Sequence, residues 1–335
     1  MVLPVLAFAH KTVLLNETVD AVNVQNHGVY VDCTLGGAGH SELLLQRSDG
    51  ARLIGIDRDP AALAAAQARL APYGDRVIFH HGAFGDLPQI LASHKIAQVD
   101  GIIADLGVSS PQLDEADRGF SFARPGPLDM RMDTTRGQTA LDLINALDAD
   151  SLANVIFEFG EERHSRKIAK LIKEAAAAGA LVTTTDLGAV VARGIPIKEQ
   201  RTSKIHPATR TFQALRIAVN TELDQLKSLL AVFPEYLSVG GRCAIISFHS
   251  LEDRLVKQRF RELSWTSSLP PVYAEREGER AVAVCELISK RSITATDDEI
   301  ASNPRSRSAH LRVCERTAAP NLPMYTHGLA NGNRV

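Results

Sequence analysis

The segment formed by residues 29–60 constrains the fold of this chain more than any other. It opens with an apolar run that ends at Asp32 and continues into a glycine-rich turn at 36–40. A second apolar run begins at Leu53 and ends at Asp57, about twenty residues after the glycines. Glycines let the backbone approach a ligand closely, and a carboxylate at the tip of the second strand accepts hydrogen bonds from ribose hydroxyls. The pattern predicts a β-α-β unit that binds a nucleoside, and it leaves the identity of that nucleoside open.

Strand patterns recur along the first third of the chain, with helical patterns between them. They lie at 29–32, 53–57, 77–80 and 99–105. Between two of them an alanine-rich helical pattern covers 60–70, and Asp59 and Pro60 supply its N-cap and first-turn proline. This alternation predicts an α/β fold with a parallel sheet covered by helices.

The alternation stops after Ser109, and the chain then shows mainly helical spacing up to Arg210. The helical patterns lie at 139–147, 150–159, 161–178 and 184–193. Another helical pattern at 208–232 leads to a strongly apolar strand at 243–248. We therefore expect an all-α insertion, 111–211, inside a discontinuous α/β domain that comprises 1–110 and 212–317.

The C-terminal part carries weaker patterns. Residues 264–280 are rich in Ser, Pro and Glu, which predicts an exposed loop. Two final strands are expected at 281–290 and 309–315. Residues 318–335 are expected to form a disordered tail.

Composition narrows the class of protein. With 45% hydrophobic and 23% charged residues, the chain is typical of a globular protein with an ample core. The formal net charge of -2 means that any nucleic-acid binding must rest on local basic patches. The cysteines form no CxxC pair, which favours a reduced, cytoplasmic protein without structural zinc. The apolar first residues lack a basic leader, and no later segment is long and apolar enough to cross a bilayer, so no membrane partner is expected.

The glycine turn and the fourth strand bear on the choice of nucleoside. The dinucleotide fingerprint requires a third glycine, which is absent after Gly39. Enzymes that use S-adenosylmethionine (SAM) have a similar first turn, and a purely structural turn is the alternative. The fourth strand ends at Asp105, and ligands of open α/β sheets bind beyond the carboxyl ends of strands. Asp105 is therefore expected beside the nucleoside, with a role in the chemistry if the methyl acceptor is an amine.

Longer motifs spread along the chain carry a resemblance to a known family. They lie at 10–15, 36–40, 105–114, 118–122, 127–132, 206–214 and 247–254. Together they resemble the bacterial 16S rRNA (cytosine-N4)-methyltransferases, the MraW/RsmH family, over about residues 10–316. The resemblance implies a class I SAM-dependent methyltransferase fold, which is Rossmann-like with a mostly parallel seven-stranded sheet, and a helical insertion domain that recognises the substrate.

The resemblance also implies a substrate, a cofactor and a set of site residues. The substrate is the exocyclic N4 of a decoding-centre (P-site) cytidine in the 16S rRNA of the small ribosomal subunit, and a homodimer is allowed. The cofactor is SAM, and its implied contacts are Ala38, Gly39, His40, Asp57, Phe84, Asp105 and Gln112. The family more often has glycine at the position of Ala38. No metal site is expected, including at the pair His80-His81.

Several roles stay open at this point. Cytosine N4 is a poor nucleophile, so an acceptor for its N–H is needed, and Asp105 either fills that role or only binds SAM. The Pro-Pro-aromatic motif of amino-methylating DNA enzymes is absent after Asp105, so the surface that stacks on the base must come from another segment. Phe120 or Phe122 can supply it, and the favoured alternative is that each is a buried packing residue. His40 is expected to order the loop rather than act as a base. The residues from Ser250 to Asp253 are either a helix capping box or part of a substrate loop.

Basic residues cluster in three places and favour RNA as the partner. The clusters are Arg193, Lys198, Arg201, Lys204, Arg210 and Arg216; then Arg254, Lys257, Arg259 and Arg261; and Arg118, Arg124, Arg131 and Arg136. The rival functions are another SAM-dependent RNA or DNA amino-methyltransferase, a NAD-dependent oxidoreductase, and a non-catalytic assembly factor. The missing third glycine disfavours the oxidoreductase, and the glycine turn with both carboxylates disfavours the assembly factor.

Overall fold

The computed structural model describes residues 11–264 and 283–320 and contains one seven-stranded sheet. Its strands are β1 Val29–Asp32, β2 Arg52–Asp57, β3 Val77–His81, β4 Val99–Asp105, β5 Leu237–Ser247, β6 Cys285–Leu287 and β7 His310–Arg316. The strand order is β3-β2-β1-β4-β5-β7-β6. Strands β1 to β5 pair in parallel, whereas β7 runs antiparallel to both β5 and β6. The predicted α/β fold with a mostly parallel sheet is confirmed.

The helices fall into two groups. Those that accompany the sheet are α1 Leu15–Ala21, α2 Gly39–Gln46, α3 Pro60–Leu70, α4 Leu87–Ser93, α5 Ser110–Asp114, α12 Glu222–Tyr236, α13 Ser250–Leu263 and α14 Asp297–Ser302. Those between α5 and α12 are α6 Ala140–Ala146, α7 Ala149–Gly160, α8 Ser165–Ala177, α9 Thr184–Gly194, α10 Ile197–Thr202 and α11 Thr209–Asn220. Short 3-10 turns cover Ala71–Arg76, Phe84–Asp86, Ala116–Arg118 and Pro304–Ser308. Within the described ranges, no helix combines the length and apolar character that crossing a membrane requires.

The sheet is covered on both faces, so its central strands are apolar runs rather than alternating patterns. Neighbouring residues of a strand enter opposite cores because strand side chains alternate between faces. Tyr30 packs in one cluster together with Leu53, whereas Val31 packs in the other together with Ile54. The buried interior of both clusters fixes the register of the strands and therefore the position of the strand ends.

A third hydrophobic cluster belongs to the helical region. Its buried members run from Phe120 to Leu215 and come from α6 to α9, α11 and the loops before them. Phe212 and Leu215, which the predicted division assigns to the α/β domain, pack in this helical cluster. The division into 1–110 with 212–317 and 111–211 remains a prediction.

The sequence patterns match most elements closely. The four strands predicted before Ser109 differ from the observed ones by at most one residue at an end, and the helix predicted at 60–70 is α3. Asp59 caps α3 through its side chain, which accepts a hydrogen bond from the Ala61 N–H. The strand predicted at 281–290 is shorter, because β6 covers only Cys285–Leu287. The predicted loop at 264–280 and the tail at 318–335 lie almost wholly outside the described residues.

The proposed capping box from Ser250 to Asp253 is wrong. The N-cap of α13 is His249, and Ser250 is already helical. The Ser250 hydroxyl donates to Glu161 instead, and the Asp253 carboxylate accepts hydrogen bonds from Arg312. Since a capping box requires an extended N-cap residue, the helix begins one residue too early for Ser250 to serve.

Candidate active site

The carboxyl ends of five parallel strands form one cleft. One residue at or just after each strand end lines this cleft. These residues are Phe84 for β3, Asp57 for β2, Gly36 for β1, Asp105 for β4 and Phe248 for β5. The cleft encloses about 1190 Å³, including its open mouth. That space suits a cofactor together with part of a substrate.

The glycine turn between β1 and α2 is shaped by close contacts. Gly36 has φ +49° and Ala38 has φ 58°, so both lie in the left-handed region. A Cβ on Gly39 would lie 1.9 Å from the Thr12 hydroxyl oxygen, so only glycine fits there. Gly39 lines the cleft, whereas Ala38 is fully buried beneath it. Ala38 therefore shapes the turn from behind instead of facing the cleft.

Asp57 closes β2 and is tied to the glycine turn. Its Oδ2 accepts a hydrogen bond from the Gly36 N–H at 2.7 Å, and its Oδ1 accepts one from the Asp59 N–H at 2.8 Å. Burial raises the pKa of Asp57 to about 6. Each carboxylate oxygen has a second lone pair, so both oxygens remain able to accept a ligand hydroxyl.

Asp32 supports the turn from the end of β1. Its Oδ2 accepts the Ser41 hydroxyl at 2.6 Å, and its Oδ1 accepts the Thr34 N–H at 3.1 Å. Burial raises the pKa of this carboxyl to about 6. The Thr34 hydroxyl in turn accepts a hydrogen bond from the backbone N–H of Asp105 at 2.6 Å, which ties β1 to β4 at the cleft.

Asp105 is the least satisfied carboxyl in the cleft. Its Oδ1 is buried and has no hydrogen-bond partner among the described residues. Burial, and then the neighbouring carboxylates of Asp32 and Glu252, raise the pKa of Asp105 well above its usual range. A buried acceptor without a partner is costly, and such groups mark functional sites.

Gln112 lines the cleft but is engaged by the protein itself. Its Oε1 accepts the Ser109 N–H at 3.0 Å in a capping box that begins α5. Its Nε2 donates to Asp59 Oδ2 at 2.9 Å, and Arg118 donates to the same oxygen at 2.8 Å. This network fixes the loop after β4 against the loop after β2.

His40 and Phe84 occupy different parts of the cleft. The His40 Nε2 lies 3.0 Å from the Val13 carbonyl oxygen, which joins the turn to the segment before α1 and fits a role in ordering the loop. Phe84 lies in a 3-10 turn after β3, where the neighbouring Gly85 N–H donates to Gln225 at 3.1 Å. Both side chains line the cleft.

Three residues that line the cleft were not among the predicted site residues. Arg58, Glu222 and Glu252 all line the cleft. Glu252 is 2% exposed, and this burial raises the pKa of its carboxyl. The neighbouring His249 and Arg216 outweigh burial, so the pKa of Glu252 lies below its usual range. The motif at 247–254 was the only sequence signal for this wall of the cleft.

Many of the basic residues form internal pairs. The buried or partly buried pairs are Arg118–Asp59, Arg131–Asp129 and Arg216–Glu222. Arg136 is 64% exposed and pairs with the buried Asp133. By contrast, Arg193, Lys198, Arg201 and Lys204 are exposed and have no ion-pair partner within the described part of the chain. Among the three basic clusters of the sequence, the largest group of exposed cations without an ion pair in the described residues therefore lies around α9 and α10, and smaller groups are Arg124 and the pair Lys257 and Arg261.

Comparison with known proteins decides the family. Residues 7–317 match the model of the MraW methylase family. The chain belongs to the MraW methylase family. Among relatives, ribosomal RNA small subunit methyltransferase H of Sorangium cellulosum is 50% identical over 307 residues, covering 92% of this chain and 90% of the relative. The Myxococcus xanthus protein of the same name is 48% identical over 315 residues, covering 92% and 98%.

The solved structures are more distant. An rRNA methylase from Streptococcus thermophilus has 10% identity and a TM-score of 0.34, covering 90% of this chain and 92% of that one. At that level of similarity it adds nothing to the family assignment. As a member of the MraW methylase family, the protein is a SAM-dependent methyltransferase with a class I fold.

The cleft residues of this MraW family member fit SAM. The molecule carries a positively charged sulfonium, and the cleft concentrates the carboxyls of Asp57, Asp105 and Glu252. The Asp105 Oδ1 atom accepts no hydrogen bond from any residue in 11–264 or 283–320 and is therefore available to a ligand. A cationic ligand satisfies such carboxylates by charge and hydrogen bonding together.

Proposed function

We propose that the protein transfers the methyl group of SAM to the exocyclic N4 of a decoding-centre (P-site) cytidine in 16S rRNA of the small ribosomal subunit. The observation that carries the proposal is the buried Asp105 Oδ1, which has no partner among the described residues and lies in the cofactor cleft. The curated relatives, which are named ribosomal RNA small subunit methyltransferase H, support small-subunit rRNA as the substrate.

The proposed cofactor contacts follow the order of the strand ends. Phe84 would pack against the adenine, Asp57 would accept the ribose hydroxyls, and the turn with Gly39 and His40 would hold the methionine part. Asp105 and Gln112 close the cleft at the reacting end. Ala38 contributes through the left-handed turn that it supports from behind.

When bound, SAM supplies a methyl group on a sulfonium, which is already a strong electrophile. The protein's task is to orient the amine and to accept its proton. Asp105 Oδ1 accepts the hydrogen bond from cytosine N4–H, which localises the nitrogen lone pair. With SAM bound as methyl donor, the Asp105 carboxylate would accept the proton that N4 gives up when it is methylated.

The raised pKa of Asp105 gives this proton transfer its direction. A nearby sulfonium charge favours the ionised carboxylate, so the group can accept a hydrogen bond before transfer. Without a positive charge beside it, as would hold after methyl transfer, burial near Asp32 and Glu252 favours the protonated form of Asp105. Asp105 is thus proposed both as a cofactor contact and as the proton acceptor.

The helical region 111–211 is proposed as the domain that recognises the substrate. Its exposed cations around α9 and α10 are suited to contact RNA phosphates, which orient a substrate without reading its sequence. The homodimer stays a prediction, and light scattering of the purified protein tests it.

The proposal is tested with purified protein, tritiated SAM and small ribosomal subunits that lack the modification. Digestion of the rRNA to nucleosides should yield label in N4-methylcytidine at one position. Label in 5-methylcytidine or in a 2′-O-methylated nucleoside would contradict the proposed chemistry. Label in N4-methylcytidine of another RNA, with none in the subunit, would retain the chemistry and overturn the substrate.

A further inference from the structure

We propose that Phe248 is the aromatic surface against which the target cytosine packs during methyl transfer. This inference rests on the proposed function, since it assumes that a base enters the cleft beside Asp105. Enzymes that modify a base hold it between flat apolar or aromatic groups. The chain lacks an aromatic residue directly after Asp105, so the ring must come from another segment.

The position of Phe248 follows from the pairing of β4 with β5. Asp105 and Ile246 are register partners, and the Leu106 N–H donates to the Ile246 carbonyl at 2.9 Å. Phe248 is two residues past Ile246 and therefore lies beside the loop that follows Asp105. Both Asp105 and Phe248 line the cleft.

One contact positions the Phe248 ring, and a second fixes the backbone of the same residue. A Cβ added to Gly107, whose φ is +99°, would meet the ring at 3.5 Å, so the ring packs directly over this glycine. The Phe248 N–H donates to Glu252 Oε2 at 2.9 Å, and Glu252 is 2% exposed. Because the ring is partly buried and its backbone is fixed, stacking of a base on it costs little additional conformational entropy.

The other aromatic residues near the cleft or in the family motifs are occupied or misplaced. Phe84 follows β3, four strand spacings or roughly 19 Å from β5. Phe120 is 6% exposed inside the helical cluster. Phe122 stacks on His206 at 4.4 Å and meets the edge of Phe212 at 5.0 Å. These contacts agree with a packing role for Phe120 and Phe122 and leave Phe248 as the candidate for the stacking ring.

The test compares Phe248→Leu with Phe122→Leu, which makes the same chemical change at the rival ring. Stacking of one base on an aromatic ring corresponds to roughly 10- to 100-fold in binding. We expect Phe248→Leu to raise the KM for small subunits, or lower kcat/KM, by about that factor, with SAM affinity unchanged. Phe122→Leu should leave both constants near wild type, and Phe248→Tyr, which keeps the ring, should restore most of the activity.

The outcomes separate this inference from the proposed function. If wild-type protein forms N4-methylcytidine and Phe248→Leu does so with wild-type kcat/KM, the inference fails and the function stands. Loss of SAM binding in step with activity in both Phe248→Leu and Phe248→Tyr also overturns it, because Phe248 then supports the cofactor. If wild-type protein forms no N4-methylcytidine, the proposed function itself fails.

Discussion

The Gly36 N–H donates a hydrogen bond to Asp57 Oδ2 across 2.7 Å, which joins the glycine turn to the tip of the next strand. The residues are 21 positions apart in sequence, yet one carboxylate both shapes the turn and faces the cleft. The turn proposed to contact the cofactor and the carboxylate proposed to bind its ribose therefore form one unit.

Replacing Asp57 should weaken SAM binding through both of these effects. Hydrogen bonds to a charged group contribute about 1.5–3 kcal/mol each, so Asp57→Ala should raise the Kd for SAM by about 10- to 100-fold. Isothermal titration calorimetry measures this Kd. Asp75→Ala, at an exposed position outside the cleft, is the control and should bind as wild type does. Unchanged affinity in Asp57→Ala would remove Asp57 from the cofactor site.

The raised pKa values predict how pH acts on the ligand-free protein and on binding. Burial raises the pKa of Asp32 and Asp57 to about 6, above the usual value near 4. Their contribution to the free energy of unfolding is therefore complete below about pH 4 and is lost as the pH rises through about 6. SAM binding is proposed to use the ionised form of Asp57, so the Kd should fall from about pH 5 to about pH 7 with release of protons. A binding enthalpy that is the same in buffers of different ionisation enthalpy would show that no protons are released and would contradict this linkage.

Two ion pairs should differ sharply in their effect on stability. Arg216 and Glu222 are 15% and 9% exposed and meet at 2.8 Å through two nitrogens. Arg216→Met leaves a buried carboxylate without its partner, and we expect a loss of about 3–5 kcal/mol in the free energy of unfolding. Arg254 and Glu161 are 62% and 47% exposed, so Arg254→Met should cost less than about 1 kcal/mol. Urea unfolding measures both, and similar losses would contradict the contrast.

The exposed cations around α9 and α10 should set the salt dependence of subunit binding. Each phosphate contact contributes a slope of roughly 0.7 to 0.9 in a plot of log K against log salt. Replacing Lys198, Arg201 and Lys204 by Gln should therefore reduce that slope by about 2 to 3. The same change at Arg131, which is paired with Asp129, should leave the slope unaltered. An unchanged slope in the triple variant would locate the RNA surface elsewhere.

The sequence predicted the elements whose signals are local. The run that ends at Asp57 and the cap at Asp59 depend on residues a few positions apart, and both appear as expected. The capping box at Ser250 failed because its neighbour His249, not Ser250, takes the extended backbone. Which residue caps this helix depends on where the preceding strand ends. The end of β5 at Ser247 is set by its pairing with distant strands and not by local sequence.

Pairing between distant residues could not be predicted at all. Arg216 counted as a surface cation in sequence, yet Glu222 neutralises it inside the protein. The four scattered cysteines illustrate the same limit, because all are free and buried in one cluster on one face of the sheet. Cys243 and Cys314 are register partners on β5 and β7, and this proximity follows only from the strand order.

The measurement that tests the central claim most directly follows SAM binding and methyl transfer in parallel for Asp105→Asn. The amide keeps the size of the side chain, but it cannot take up a proton as the carboxylate of Asp105 can. We expect SAM affinity to weaken by less than tenfold, while the rate of transfer to small subunits falls about 100-fold or more. Asp100→Asn, at the other end of β4, is the matched control and should transfer methyl groups at the wild-type rate. A loss of SAM binding as large as the loss of transfer would contradict the account, because Asp105 would then serve the cofactor alone.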